Sequence, residues 1–371
     1  MRIILTGGGT AGHVNPALAI AEELLHRDPK CEILFIGREG GGENRSVESS
    51  DIEIKYLKVR GLERRITLKN FEAVKLAIKA KRRAENIMRA FRPELVMGTG
   101  GYVSWPVLRS AQALGIPTVI HESNVTPGLT AKMLSKRCEA VLVNHKESER
   151  FFPRADRVIT VGNPLRRDFY SVKRDEARRT LGLSKDDVLI VSIGGSGGAQ
   201  RLNEACLGVM REYSSRTPKI KHVHSAGTKY YESIKDEGFK RGSGGCKILP
   251  YIDDMPLLLC GADIAVSRCG AVTLAELALV GVASVLIPSP NVADNHQYKN
   301  ARLLSDAGAA VLLTEDRLSV KTLTSALTEL IVNRTKRDSL ANKIRGFAVP
   351  DSACRIADIL EDIARDNAYY I

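Results

Sequence analysis

Twelve short runs rich in β-branched and aliphatic residues recur along the chain, each separated from the next by a longer segment of helical period. Six lie in the first half: "RIILTGG", "CEILFIG", "PELVMGTGG", "PTVIHES", "EAVLVN" and "RVITVGNP". After a polar stretch near residues 171–187 six more follow: "DVLIVSIGGSGG", "KHVHSAG", "CKILPYI", "ADIAVSRCG", "ASVLIPSP" and "AAVLLTED". The runs are nearly all apolar, as strands covered on both faces must be. Alternation with helices makes the fold class α/β, with parallel sheets. Two series in succession predict two Rossmann-like, doubly wound domains. The division is expected at 162/163, giving domains 1–162 and 163–349, with a C-terminal helix of about 350–371 packing back on the first.

Composition narrows the function classes. The net charge of +12 calls for an acidic partner: a nucleic acid, an anionic membrane or a phosphorylated substrate. Few aromatics and no nucleic-acid motif weigh against the first. No run approaches 18 apolar residues, so no transmembrane helix is expected, and Met1 leads straight into a strand-like run, so no signal peptide is expected either. The seven cysteines (Cys31, Cys138, Cys206, Cys246, Cys260, Cys269 and Cys354) are scattered and include no C-x-x-C pair. That argues against disulfides and zinc and for a reducing cytosol.

Three glycine clusters follow strands. The first, "TGGGTAGHVNPALAIAEEL", places Gly7, Gly9 and Gly12 in a G-x-G-x-x-G spacing before a helix expected to start near Asn15–Pro16. The second is "MGTGGYVSWP". The third is "LIVSIGGSGGAQRLNEA", with Ser196 among Gly194, Gly195, Gly197 and Gly198. Such loops bring backbone amides and helix N-termini up to an anion, and open α/β sheets bind ligands at the carboxyl ends of their strands. Phosphates held in a cleft between two domains follow as the expectation. A nicotinamide enzyme would carry an acid at the end of the second strand; here "FIGREG" supplies Gly37 and Arg38, with Glu39 beyond. In "SRCGAVTLAELALVGVASVLIPSPNVADNHQYKNA", Glu276 sits in an apolar helix and needs a polar partner, which a ribose diol satisfies.

Taken with "IPTVIHESNVTPGLTAK", "VGNPLR", "LPYIDDM" and "ADNHQYKNARLL", these stretches resemble the MurG family over nearly the whole chain. That family comprises the N-acetylglucosaminyltransferases that convert lipid I to lipid II in bacterial peptidoglycan synthesis. The resemblance implies the two-domain GT-B fold and an inverting transfer from UDP-N-acetylglucosamine, with no metal or other cofactor. It implies that Ile252 meets the uracil and Ser196 the diphosphate, and that Arg166 adds positive charge. It places Ala271, Val272, Thr273, Leu274, Ala275 and Glu276 around the nucleotide, with Glu276 on the ribose. Gln297, Asn124 and the Thr10–Ala11–Gly12 loop would touch the sugar, and the acceptor would enter near His13, Tyr102, His121 and Glu122. Ala11 stands where the family has glycine, which a negative φ tolerates. Ser123, His296 and Cys269 also depart from the pattern.

His13, at a helix N-terminus, is expected to be neutral and to serve as the base. Its rivals are a purely hydrogen-bonding His13 and a His121–Glu122 base pair. Asp253–Asp254 fits a structural role better than a metal clamp. Between Lys58 and Arg92, basic residues (Arg60, Arg64, Arg65, Lys69, Lys75, Lys79, Lys81, Arg82, Arg83 and Arg89 among them) interleave with Ile66, Leu68, Phe71, Val74, Leu76 and Ile78. Either this helix turns its apolar residues to the core, or it docks on an anionic membrane. The resemblance implies peripheral attachment to the cytoplasmic face of the bacterial membrane, with undecaprenyl-linked lipid I and other cell-wall proteins as partners. The alternatives are another lipid glycosyltransferase, a non-catalytic sugar-nucleotide binder, or an NADP-dependent oxidoreductase.

Overall fold

The first apolar run becomes β1 (Arg2–Thr6), in which Ile3, Ile4 and Leu5 are buried. A strand dry on both faces needs a helix layer on each, and the chain supplies them twice. The computed structural model describes residues 1–41, 45–61, 68–195, 197–214, 219–235 and 245–368. By internal contacts the chain divides into an N-terminal unit, Met1–Arg167 with Val349–Ile371, and a C-terminal unit, Asp168–Ala348. Arg166, expected beyond the boundary, thus belongs to the N-terminal unit.

The N-terminal unit adds β2 (Glu32–Arg38), β3 (Glu53–Leu57), β4 (Leu95–Gly98), β5 (Thr118–Glu122), β6 (Ala140–Val143) and β7 (Val158–Thr160). All pairings are parallel, in the order β3-β2-β1-β4-β5-β6-β7. The edge strand β3 was not among the expected runs. Its helices are α1 (Ala11–Arg27), α2 (Arg45–Glu48), α3 (Leu68–Phe91), α4 (Ser104–Ala113) and α5 (Leu129–Leu134). Ile3 and Leu5 pack with α1, while Ile4 packs with α3, α4 and α5 on the other face. This is the period-two alternation of a strand between two layers.

The C-terminal unit holds β8 (Val188–Ile193), β9 (Ile220–Ser225), β10 (Cys246–Leu249), β11 (Ile264–Ser267), β12 (Ala283–Leu286) and β13 (Val311–Leu312). They too are parallel, ordered β10-β9-β8-β11-β12-β13. The helices are α6 (Asp168–Ser171), α7 (Arg174–Thr180), α8 (Gln200–Ser214), α9 (Thr228–Ile234), α10 (Met255–Gly261), α11 (Ala271–Val280), α12 (His296–Asp306), α13 (Val320–Val332) and α14 (Arg334–Arg345). The last helix, α15 (Ser352–Ala368), returns to the first unit. Ile356, Leu360 and Ile363, at i, i+4 and i+7, join the core cluster that contains Val14 and Leu18 of α1.

In each sheet the strand order reverses beside the first strand, between β1 and β4 and between β8 and β11. The loops leaving the two central strands part to opposite faces there, which opens a crevice at the carboxyl ends.

Candidate active site

In the N-terminal unit that crevice is formed by the loops after β1 and β4. Helix α1 begins at Ala11, earlier than the Asn15–Pro16 start expected from the proline, so Pro16 lies inside the helix and His13 in its first turn. Thr10 is the N-cap but makes no side-chain cap bond, and no acidic residue stands in the first turn. The amides and dipole at this end therefore remain positive in character. Ala11 is a helical residue and not among those of positive φ, so the departure from glycine costs nothing here.

Thr99 holds His13 from two sides. Its hydroxyl donates to the His13 carbonyl at 2.6 Å, and its own carbonyl lies 3.2 Å from the His13 Nδ1. A carbonyl only accepts, so Nδ1 carries a proton, and whenever the ring is neutral Nε2 is its basic nitrogen. Gly100 (φ +109°) and Gly101 (φ +81°) bring backbone against the imidazole; a Cβ on Gly100 would lie 2.6 Å from Nδ1. The Tyr102 ring lies against Gly9 and Gly61. Thr99 is a site-building residue that sequence reasoning missed, its only signal being its place in a glycine cluster.

The rival base pair does not form. His121 and Glu122 are consecutive on β5, so their side chains leave on opposite faces. His121 is 1% exposed and its Nε2 donates to the Gly162 carbonyl at 2.9 Å; burial pushes its pKa down to about 4, against the opposing effect of that hydrogen bond. It is a satisfied core histidine. Glu122 serves its own loop: one carboxylate oxygen accepts from the backbone and side-chain amides of Asn124, each at 3.0 Å, and the other from Gly128 N at 2.8 Å. Asn124 is thereby fixed at half exposure beyond β5.

In the C-terminal unit the crevice is formed by the loops after β8 and β11. Gly194, Gly195, Gly197 and Gly198 follow Ile193, and a turn closes them through Gly198 N→Gly195 O at 2.9 Å; Ser196 lies outside the described residues. Arg268 N bonds Ile193 O at 3.2 Å, which ties the two loops together. Helix α11 starts at Ala271 behind the side-chain-free cap Gly270, with no acidic residue in its first turn. Ala271, Val272 and Leu274 are buried, while Thr273, Ala275 and Glu276 are half-buried.

Gln297, expected to contact a sugar, has its amide oxygen committed. That oxygen accepts from Cys269 N at 3.2 Å and Ser289 N at 2.9 Å and so bridges the loops after β11 and β12. Only its Nε2 has a donor to offer a ligand. One turn on, the missed residue Asn300 donates to Cys269 O at 3.3 Å. The approach to α12 is bent to deliver both, with Asp294 and Asn295 each at φ +50°, a conformation these two side chains tolerate better than most. Beneath the loop, the half-buried Arg268 pairs with Glu315 and donates to Ile287 O at 3.2 Å. Ile252 is 2% exposed, in the loop after β10. Asp254 caps α10 by accepting from Leu257 N at 3.0 Å. Among the described residues no group of three His, Cys, Asp or Glu side chains is placed to hold a metal ion.

Helix α3 divides its apolar residues unexpectedly. Ala73, Ala80, Ala84 and Met88 face the core, whereas Phe71, Val74 and Ile78, at i, i+3 and i+7, are 70%, 51% and 52% exposed. Lys75 lies over the Phe71 ring at 5.4 Å, and Lys79 and Arg82 are exposed beside this stripe. On α5, in the same layer, Leu129 and Met133 are also exposed. Glu63, Arg64, Arg65 and Ile66 lie outside the described residues, as do the side chains of Leu68 and Lys69. Among the described residues no helix is long and apolar enough to cross a membrane.

Comparison with known proteins fits both units. Residues 3–143 match the model of the glycosyltransferase family 28 N-terminal domain, and residues 189–356 that of its C-terminal domain. The UDP-N-acetylglucosamine--N-acetylmuramyl-(pentapeptide) pyrophosphoryl-undecaprenol N-acetylglucosamine transferase of Acetivibrio thermocellus is 40% identical over 368 residues, covering 99% of this chain and 100% of that one. The relative of the same name from Oenococcus oeni is 38% identical over 369 residues, 99% of this chain and 98% of its own. The crystal structure of Acinetobacter baumannii MurG superposes with a TM-score of 0.75 at 28% identity, over 97% of this chain and 99% of that one. The chain belongs to the MurG family. It is a glycosyltransferase of the hexosyl-transferring class with the GT-B pair of parallel-sheet domains. MurG-family membership sets aside the oxidoreductase reading of Gly7, Gly9 and Gly12, and also that of a non-catalytic binder.

Proposed function

We propose that this chain transfers N-acetylglucosamine from UDP-N-acetylglucosamine to the undecaprenyl-linked muramyl-pentapeptide acceptor, lipid I, to form lipid II with inversion at the anomeric carbon. The observation that carries this reading is the near full-length likeness to relatives named for that transfer. The geometry of each unit supports a division of labour.

The C-terminal unit takes the nucleotide sugar. Amides of the glycine loop after β8 and of the first turn of α11 meet the diphosphate, with Ser196 assisting. Ile252 receives the uracil, Ala271–Ala275 line the nucleotide, and Glu276 accepts from the ribose hydroxyls. Gln297 Nε2 donates to the sugar. As the glycosidic bond breaks, negative charge grows on the leaving UDP, and preorganised amides stabilise that charge without reorganising. The reaction needs no metal or other cofactor on this reading.

The N-terminal unit takes the acceptor near Tyr102 and supplies the base. With Nδ1–H committed to Thr99, Nε2 of His13 takes the proton from the attacking sugar hydroxyl as the new bond forms. The remaining sugar contacts, Thr10, Ala11, Gly12 and Asn124, also belong to this unit.

The polyprenyl tail of the acceptor brings the enzyme to the cytoplasmic face of the membrane, where other cell-wall proteins are its neighbours. The stripe of Phe71, Val74 and Ile78 inserts, while Lys75, Lys79 and Arg82 attract anionic headgroups. The test is transfer of labelled sugar from UDP-N-acetylglucosamine to a lipid I analogue. Formation of the disaccharide lipid supports the proposal. UDP binding without transfer to this acceptor, and with transfer to another lipid sugar, overturns it.

A further inference from the structure

Under the C-terminal glycine loop lies a chain of buried polar side chains that the reaction does not use. Ser192 stands on β8, and His222 and His224 stand on β9, with Ser192 paired in register to His224. Asn203 and Cys206 reach down from α8. All are buried, at 2% exposure or less.

The direction of every bond in this chain is fixed from one end. Asn203 Nδ2 lies 2.9 Å from the Ala226 carbonyl, which can only accept, so the amide must donate there. Asn203 Oδ1 then faces His224 Nε2 at 3.2 Å and must accept. His224 is therefore protonated on Nε2, and its bare Nδ1 accepts from the Ser192 hydroxyl at 2.7 Å. That spends the only proton Ser192 has. Its oxygen must accept from His222 Nε2 at 2.8 Å. The chain ends at His222 Nδ1, which has no hydrogen-bond partner among the described residues. Burial keeps both imidazoles neutral, with pKa values lowered to about 3 for His222 and about 4 for His224.

The anchored end touches the glycine loop. Ala226 and Gly227 follow β9, and here backbone meets backbone: a Cβ on Gly198 (φ +74°) would overlap the Ala226 carbonyl, and one on Gly227 (φ +82°) would overlap Gly198 N and Cα. The position of the Ala226 carbonyl therefore sets that of Gly198. If Asn203 turned its amide over, two carbonyl oxygens would face each other. The proton on His224 Nε2, held there by Ser192, opposes that turn.

We propose that Ser192, His224 and Asn203 are positioning residues that lock the Ala226–Gly227 backbone against Gly198 and so set the glycine loop for the pyrophosphate of the donor, an inference that rests on the nucleotide-sugar reading of this unit. Two replacements separate this role from mere core filling. His224→Gln keeps an N–H donor near the Nε2 position; His224→Asn keeps polarity but ends short of Asn203. The account expects His224→Asn to raise the KM for UDP-N-acetylglucosamine and the Kd for UDP about tenfold, as for one lost hydrogen bond, with the acceptor KM unchanged. It expects His224→Gln to stay within about threefold of the parent on the same scale. In ligand-free protein, the amide resonances of Gly197, Gly198 and Gly227 should move in His224→Asn and in Ser192→Ala but hold in His224→Gln. Nitrogen-15 shifts should show His222 and His224 as Nε2–H tautomers at pH 7. Equal effects of the Gln and Asn replacements on KM and on the loop resonances, or an Nδ1–H tautomer at His224, would overturn the inference. Parent protein that binds no UDP would instead sink the donor reading, and the resonance and tautomer results would still decide the chain.

Discussion

The side chain and backbone of Thr99 grip His13 at both its ring and its main chain, with Thr99 O 3.2 Å from Nδ1 and Thr99 Oγ1 2.6 Å from the His13 carbonyl. A histidine so held has its tautomer chosen before substrate arrives. Its ring is aimed by the loop after β4, which is tied to the end of β1 by Thr99 N donating to Thr6 O at 2.9 Å. That is the arrangement a general base needs, because small errors in aim cost rate steeply.

Gly100→Ala tests the cradle around that ring. The new methyl would lie 2.6 Å from His13 Nδ1 on a backbone with φ +109°, so both the ring and the turn must shift. Transfer at saturating substrates should fall at least about tenfold while UDP affinity holds, since positioning rather than binding is disturbed. Steady-state kinetics beside UDP titration calorimetry reads both. An active Gly100→Ala would show that the loop after β4 does not aim His13.

Acid should unfold this protein through its core histidines. Burial lowers the pKa of His121 in the N-terminal unit to about 4, and that of His222 and His224 in the C-terminal unit to about 3 and about 4. Their unfolded value is 6.5, so below it the unfolded chain binds protons the native chain refuses. Stability is complete above pH 6.5 and declines as pH falls toward 4, by up to about 1.4 kcal/mol per pH unit for each histidine. Urea titrations at pH 7.5 and 5.5 should show the loss. His121→Gln, which keeps a donor for Gly162 O but does not titrate, should flatten the slope of the N-terminal unit. A slope unchanged by that replacement would contradict the burial assigned to His121.

The exposed stripe on α3 predicts lipid binding that is separable from chemistry. Phe71→Ser with Ile78→Ser should weaken cosedimentation with anionic vesicles at least tenfold, given roughly 1.5–3 kcal/mol for burying each such side chain. Turnover on a short-chain, water-soluble acceptor should be unchanged. Raising salt should weaken the parent further, because Lys75, Lys79 and Arg82 lie beside the stripe. Equal vesicle binding by the parent and the double variant would remove this face from the account.

What could be read from the sequence follows from how each part is buried. The twelve expected strands were legible because parallel strands between two helix layers are apolar throughout. The thirteenth, β3, lies at the sheet edge and alternates Glu53, Ile54, Lys55, Tyr56 and Leu57 with one side wet, so it does not read as a buried run. The start of α1 was misplaced because Pro16 reads as a first-turn residue, whereas the helix runs on through it. His13 and His121 are alike as letters; only the burial of one and the loop setting of the other separate the proposed base from a core residue. The roles of Gln297 and Asn300 were hidden because their partner, the backbone of Cys269, lies 28 and 31 residues away in sequence. On α3 the aliphatic letters suggested a core face, but close packing on α4 admits small residues, as Ser110 Oγ donating to Lys81 O at 2.8 Å attests. Alanine takes the inside, and Phe71, Val74 and Ile78 are left outside.

The most direct measurement is the single-turnover rate of sugar transfer by His13→Ala, with UDP-N-acetylglucosamine and a lipid I analogue both saturating. With the base gone and the amide-lined loops intact, the rate should fall at least about 100-fold, while the Kd for UDP stays within about twofold of the parent. Transfer at near-parental rate would contradict the account, since the proton of the attacking hydroxyl would then leave by a route that does not pass through His13.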